Sequence, residues 1–424
     1  MRILVVGHRL ELGGSQTNTV QLAATLVRRG HECTLAAAPG PARALVEAAA
    51  LPLVELPDAP RHPSRPVAAR LEALTAELRP DLVHAWEWPQ VLDAFWGPHR
   101  RRGVPLLATS MSMVVLRTLP RYVPLTVGTE ALLDATRRTR PGPVHLLEPP
   151  VDVAADDPGR VDGEAFARAV GLEPGAARIV VVSRLAEPIK VSGIEHAIDV
   201  VAELGARRPL QLVVVGDGPD RGRLEARAQD ANRSAGRPVV RCIGAVADPR
   251  AAYAAADVVL ANGSSSLRGM AFARPTIVYG ADRFTEVVGP QTVARFLRDG
   301  FYGIGDGTDR LAAQLEALLD DAAERAALGS WGRRFVTDRY GLESVADRLE
   351  QIYRETLATP VPSRSVRELD AAVLRARSVA AALRDRARHA VASPAATTTI
   401  INGSTGTRKR TRVKNSATTS AYPK

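Results

Sequence analysis

Four short segments of this 424-residue chain put chemically capable side chains just after apolar runs. In HRLELGGS (8–15), Gly13 and Gly14 would let a ligand approach the backbone, and a helix capped by Ser15 would offer free N–H groups to an anion. His8 opens the same segment. In SRLAEPIK, Arg184 follows an apolar run and Lys190 lies six residues further on. Two cations so placed can neutralise a diphosphate. In DVVLANGSSSLRG, a polar loop of Asn262, Gly263, Ser264, Ser265 and Ser266 leads through Leu267 to Arg268 in the first turn of a short helix. Backbone and hydroxyl donors at such a helix start form a further anion seat. In HAWEW, His84 and Glu87 stand at the end of a run and could face a cleft. Each segment taken alone has a plainer reading. The first is equally a strand-to-helix loop, the second a solvated pair, the third a serine cap, and the fourth a loop edge.

Other chemistries find less support. VVVGDGPDRG is a shortened glycine fingerprint, but its spacing is not G-x-G-x-x-G and Pro219 sits inside it. Dinucleotide binding is therefore not expected. The chain has no D-x-D, no His/Cys cluster at metal-ligand spacing and no G-x-S-x-G, so metal-dependent transfer and serine hydrolysis lose ground.

The elements that must position these residues are read from the apolar pattern. RILVVG, HECTLAAA, PLVEL, DLVHAW, PLLATS, LTVG and VHLLEP read as strands separated mostly by helical stretches. Such alternation implies a parallel sheet with helices on both faces. The pattern restarts with ARIVVVSRL, LQLVVVG, VVRCIG, DVVLA and PTIVYG. The Asp-, Pro- and Gly-rich stretch 154–175 reads as the hinge between two Rossmann-like α/β domains, whose strand ends would face a central cleft. WGRRFVTDRYGLESVADRLEQIYRETL reads as two helices broken at Tyr340–Gly341. The expected organisation is an N-terminal domain over 1–160, a second domain over 161–340, a C-terminal helix over 341–359 and a basic tail over 360–424, helical and then disordered.

Composition agrees with large cores in a reducing compartment. Hydrophobic residues make up 46% and aromatics 4%, so aliphatic side chains must fill the interior. Cys33 and Cys242 fall in different expected domains, which argues against a disulfide. The opening MRILVVGHRLELGG does not read as a signal peptide, and no apolar run reaches spanning length. A cytoplasmic protein is expected. Thirteen Lys or Arg and three acidic residues lie over 360–424, so the whole net charge of +10 resides in the tail. The rest gives no reason to expect nucleic acid. The tail allows weak contact at the inner face of a membrane.

In order and spacing, several segments resemble a known family. SRLAEPIKVSG resembles a "GRL…KG" donor motif, and LVVVGDGPDRGRLE a "VGDGP" strand and turn. CIGAVADPRAAYAAADVVL resembles "FLG…YAAADVFVLPS", and RGMAFARPTIV resembles "EAMACGKPVVA". RYGLESVADRLEQIYRETL is similar to closing helices of which the last crosses back to the first domain. Together they resemble the GT-B glycosyltransferases of the family 4 type, the "glycosyl transferases group 1", over about residues 1–358. The resemblance implies a retaining, metal-independent glycosyltransferase with a nucleotide-diphosphate sugar as co-substrate and no other cofactor. It implies that Arg184 and Lys190 hold the diphosphate, with Gly13 and Gly14 closing over it. It also places Gly216, Ile243, Gly244, Val246 and the 264–268 segment near the donor, with Glu286 of RFTEVV facing the cleft.

The chain departs from the family in three places. The E-x7-E glutamate pair is missing, with Arg268 where the second would stand. Ser110 and its neighbours replace a cleft histidine, and the basic tail is an addition. The acceptor side is expected around His8, His84, Glu87 and Ser110, facing a sugar, lipid-linked or small-molecule acceptor. Two alternatives stand beside transfer: an inactive GT-B-like protein that binds a ligand or partner, which the lost glutamates support, and a nucleotide-sugar epimerase, against which the lack of an obvious set of cleft acids and bases counts.

Overall fold

The computed structural model describes residues 1–11, 13–186 and 189–392. The chain forms two compact units, Met1–Arg377 and Ser378–Lys424. Of the second, the end of one helix is described, with Val379 and Leu383 exposed. The tail beyond residue 392, expected to be disordered, lies outside the described residues.

The first unit contains two sheets built from the apolar runs. Strands β1 (Arg2–Val6), β2 (Glu32–Ala37), β3 (Leu53–Glu55), β4 (Leu82–Trp86), β5 (Leu106–Ser110), β6 (Leu125–Val127) and β7 (Val144–Leu146) form one sheet in the order β3-β2-β1-β4-β5-β6-β7. Strands β8 (Ala177–Val182), β9 (Leu210–Val215), β10 (Val240–Gly244), β11 (Val258–Ala261), β12 (Thr276–Tyr279) and β13 (Thr285–Val287) form the other in the order β10-β9-β8-β11-β12-β13. All neighbours pair in parallel except β12 and β13. The antiparallel edge strand β13 falls in a stretch that carries no strong apolar run, and the sequence reading did not assign it.

Six helices matter below: α1 (Gly14–Arg28), α2 (Ile189–Gly205), α3 (Ser264–Ala271), α4 (Ala322–Tyr340), α5 (Leu342–Ala358) and α6 (Arg364–Ala392). Strand β1 shows why both faces of the first sheet must be covered. Ile3 and Val5 point into a core shared with Leu22 and Leu26 of α1 and Val345, Leu349 and Tyr353 of α5. Leu4 and Val6 point into the opposite core, which Ala371 and Leu374 of α6 help to close. The start of the basic tail is thus packed structure. Arg367 donates to the Arg100 carbonyl at 3.1 Å, and Arg375 lies over the Trp96 ring at 4.6 Å.

The break at Gly341 sends α5 onto the first sheet, as expected, while α4 packs on α3 of the second. The chain also crosses at 147–153, and the two crossings lie side by side. Val151 N–H donates to the Tyr340 carbonyl at 2.7 Å, and Leu342 N–H to the Val151 carbonyl at 3.1 Å. Between them sits Glu148, 2% exposed. Its carboxylate accepts from Arg339 Nε at 3.1 Å, Tyr340 Oη at 2.9 Å and Arg348 at 3.1 Å.

Removing a buried charge strands its partners, at a cost of about 3–5 kcal/mol. Glu148→Ala is expected to lower stability by about that much. Denaturant unfolding followed by circular dichroism checks this, and Glu148→Gln, which keeps acceptor and shape, should lose clearly less.

Candidate functional site

In a doubly wound sheet the chain reverses its order of addition at a switch point, where the loops after neighbouring strands diverge and leave a crevice. Here the switch points lie between β1 and β4 and between β8 and β11. The four segments singled out from sequence lie at the ends of these four strands, HAWEW spanning the last three residues of β4 and the start of the helix after it.

In the second sheet, the chain leaving β8 keeps pairing for three residues. Ser183 N–H donates to the Val215 carbonyl at 3.0 Å, and Leu185 N–H to the Asp217 carbonyl at 2.9 Å. Arg184 between them is exposed, and Lys190, in the first turn of α2, is half-buried. Burial, and after it the charge of nearby Arg184, lower the Lys190 pKa below the ordinary lysine value. Among the described residues neither side chain is paired with a carboxylate, whereas most other arginines are. The two cations therefore repel each other at the end of a central strand.

Gly216 serves packing here. Its φ is +147°, and a Cβ would lie 1.8 Å from the Ser183 carbonyl oxygen, so only glycine lets β9 exit against β8. Its N–H donates to Gly244 at 2.8 Å, which joins β10 to the same rim. Ile243 and Val246 are half-buried against the core beside that rim.

The loop after β11 is less open than its sequence suggests. Gly263 takes φ +56°, and a Cβ there would come within 2.6 Å of Tyr302 Oη. Ser264 is exposed, but Ser265 Oγ donates to the Val182 carbonyl at 3.0 Å and so ties α3 to the end of β8. Ser266 and Leu267, expected near a ligand, are buried, because the inward face of α3 packs against Phe296 and α4. Arg268 does not stand free either. Its guanidinium forms a bidentate pair with buried Asp156, at 2.9 and 3.0 Å, and lies over the Tyr253 ring at 5.9 Å. Glu286 is on β13 and pairs with Arg295 at 3.0 Å.

In the first sheet, α1 starts at Gly14 with Gly13 as its N-cap, two residues ahead of the expected Ser15 cap. Both glycines are exposed, and nothing lies within 4 Å of a Cβ built at Gly14. Ser15 is drawn elsewhere: its hydroxyl donates to Glu87 at 3.0 Å. Glu87 also accepts from the Met111 N–H at 3.1 Å and the Ser112 hydroxyl at 3.2 Å. It adopts φ +67°, which is costly for a side-chain-bearing residue, and its three bonds hold together the loops after β1, β4 and β5. Glu87 is thus spoken for as a tether.

Two acceptor-side expectations need correcting. His84 is 1% exposed and bonds Tyr353 Oη at 2.8 Å and Thr109 Oγ1 at 2.6 Å. Burial pushes it down to about 3, so it is a neutral core group joining β4 to α5. All five residues of β4 are buried, and His84 sits mid-strand rather than at the tip. Ser110 is buried at the end of β5. His8 stays half-buried, with Nδ1 3.3 Å from Gln16 Nε2. Sequence reasoning missed Asp156 and Tyr302, which shape the α3 loop from distant positions. Only the Asp-rich character of the hinge hinted at the first.

Comparison with known proteins agrees with this layout. The family described as "Glycosyltransferase Family 4" matches residues 12–154, and "Glycosyl transferases group 1" matches residues 176–321. A 2-deoxystreptamine glucosyltransferase of Streptomyces kanamyceticus is 26% identical over 291 residues, covering 66% of this chain and 70% of that protein. A glycosyltransferase structure from Rickettsia africae superposes with a TM-score of 0.67 at 15% identity, over 84% of this chain and 98% of that one. The Anabaena protein HepE in complex with UDP and glucose does so with a TM-score of 0.67 at 16% identity, over 84% and 100%. With one family match on each sheet and this fold between them, the chain belongs to the family 4, group 1 glycosyltransferases and has the GT-B architecture.

Proposed function

We propose that this glycosyltransferase moves a sugar from a nucleotide-diphosphate sugar to a small hydroxyl- or amine-bearing acceptor, without a metal and with retention at the anomeric carbon. The observation that carries the reading is the Arg184–Lys190 pair. Two cations that have no carboxylate partner among the described residues, one of them half-buried, make an unfavourable arrangement that a diphosphate relieves. As the bond between the sugar and the diphosphate breaks, negative charge grows on the leaving oxygen, and the same two cations stabilise it. The acceptor hydroxyl then attacks from the face the diphosphate leaves, and its proton passes to the departing phosphate oxygen. UDP in the Anabaena relative supports the donor class, and the Streptomyces relative's name supports a small acceptor.

The remaining assignments belong to the same proposal. Residues 1–160 form the acceptor side, with Gly13 and Gly14 closing over the phosphates, and 161–340 form the donor side. With the family's glutamates absent and Arg268 committed to Asp156, exposed Ser264 and the backbone at the start of α3 take the ribose side. Among the described residues no helix is long and apolar enough to cross a membrane. Weak contact of the basic tail with an anionic surface stays within the proposal.

Lys190→Ala is expected to lower the transfer rate by at least about 100-fold, the scale for removing one preorganised group from developing charge. Its unfolding midpoint should match or exceed that of the wild type. Release of nucleoside diphosphate, followed by chromatography, reads the first and calorimetry the second; wild-type turnover in the variant overturns the assignment.

The lowered Lys190 pKa sets the sign of a pH effect. UDP affinity should fall as pH rises through that pKa, before the ordinary 10.5, and Lys190→Met should lack this limb. The ligand-free protein should change the other way. Folding disfavours the charged form, so stability rises as the proton leaves. Titration calorimetry and unfolding across an alkaline pH series check the two signs.

A further inference from the structure

The helix Glu87–Ala94, whose first residue tethers the loops around β4, carries two more polar groups along its length, Gln90 and Asp93. They line a pocket of about 140 Å³ where β1, β2 and β3 end, together with His8 and His62. Asp93 is 0% exposed. Its Oδ1 accepts the Ser64 N–H at 2.6 Å and its Oδ2 lies 2.6 Å from His62 Nδ1. A carboxylate on Nδ1 holds a proton there, so that in the neutral imidazole Nε2 presents the lone pair. Gln90 is 8% exposed, and its Oε1 has no hydrogen-bond partner among the described residues. An unpaired buried amide oxygen is a standing cost, and one in a pocket wall is met when a ligand donates to it. Fixing the loop before Ser64 needs only the Asp93–Ser64 bond; an oriented imidazole beside an unsatisfied carboxamide does more than that.

We propose that this pocket seats the acceptor ring. His62, held by Asp93, takes a hydrogen bond from a hydroxyl or ammonium neighbouring the group that is glycosylated, and Gln90 receives a second. Both are binding residues that orient the ring; neither takes the proton of the reacting hydroxyl. The volume suits one ring. It is well below the ~300–1,000 Å³ of sites for larger ligands, so a lipid chain or an oligosaccharide would have to lie outside. The inference rests on the transfer reading above and assigns its acceptor to aminated or polyhydroxylated rings.

Ligand-observed saturation-transfer NMR on the full chain tests it, with 2-deoxystreptamine, glucosamine and myo-inositol as probes. At least one is expected to bind and to weaken about tenfold in His62→Gln, as loss of one good hydrogen bond allows. Gln90→Met should also weaken binding while holding or raising the unfolding midpoint, because it removes an unsatisfied group; a purely structural role for Gln90 would not separate the two. Because His62→Gln could disturb its loop, the Gln90 variant decides if the first fails to fold. Binding of no probe, or equal binding in the variants, overturns the pocket assignment. A thermal shift with UDP, run on the same samples, separates the readings. UDP stabilisation without probe binding sinks only the pocket, and loss of both sinks the transfer reading beneath it.

Discussion

A carboxylate buried where the chain crosses twice between sheets is the constraint on which the architecture turns. Glu148 leaves β7 on the first crossing, and Arg339, Tyr340 and Arg348 flank the second. An isolated buried carboxylate is strongly disfavoured, so the two crossings must run together for its partners to reach it. The backbone bonds of Val151 to Tyr340 and Leu342 add direction to that charge pairing. Once the crossings are fixed, α4 stays with the second sheet and α5 with the first. Tyr353 of α5 then completes a buried chain through His84 to Thr109 and Thr126. The same pair of helices thus fastens both halves.

Within each half, placement follows from strand order. Loops leaving the central strands diverge at a switch point, and those loops carry the polar residues. Their polarity is used in two ways. Some groups hold the rims in shape: Glu87 gathers three loops, Ser265 ties α3 to β8, and Arg268 reaches back to Asp156 in the segment linking the two sheets. Others have no carboxylate partner among the described residues, and Arg184 and Lys190 are the clearest pair. The Arg268–Asp156 pair has a further consequence. With its charge met by Asp156 from the segment linking the two sheets, Arg268 is not free for a ligand.

Much of the fold was legible because parallel strands buried on both faces are continuous apolar runs. β1, β8 and β9 are each followed by a residue that breaks the run, and the Tyr340–Gly341 break is visible as a glycine between two amphipathic stretches. What escaped was the outcome of long-range competition. Ser15 reads as a helix cap, yet its hydroxyl goes to Glu87, 72 residues on. Arg268 reads as a free cation in the first turn of a short helix, yet its partner lies 112 residues earlier. His84 reads as a strand-end histidine, but two residues separate it from the tip and place it in the core. Ser266 and Leu267 were read as loop residues because a short helix hides its inward face until α4 is known to pack on it. His62 and Asp93 carry no sequence signal of their pairing. No local spacing joins a histidine in a proline-rich loop to an aspartate on a helix 31 residues away.

The central claim is that the end of the second sheet holds a diphosphate through Arg184 and Lys190. A thermal-shift series of nucleosides, nucleoside diphosphates and nucleotide-diphosphate sugars measured on the intact chain tests it most directly. The account predicts that at least one diphosphate raises the unfolding midpoint while its parent nucleoside leaves it unchanged. Indifference of the protein to every diphosphate and every nucleotide sugar would contradict it.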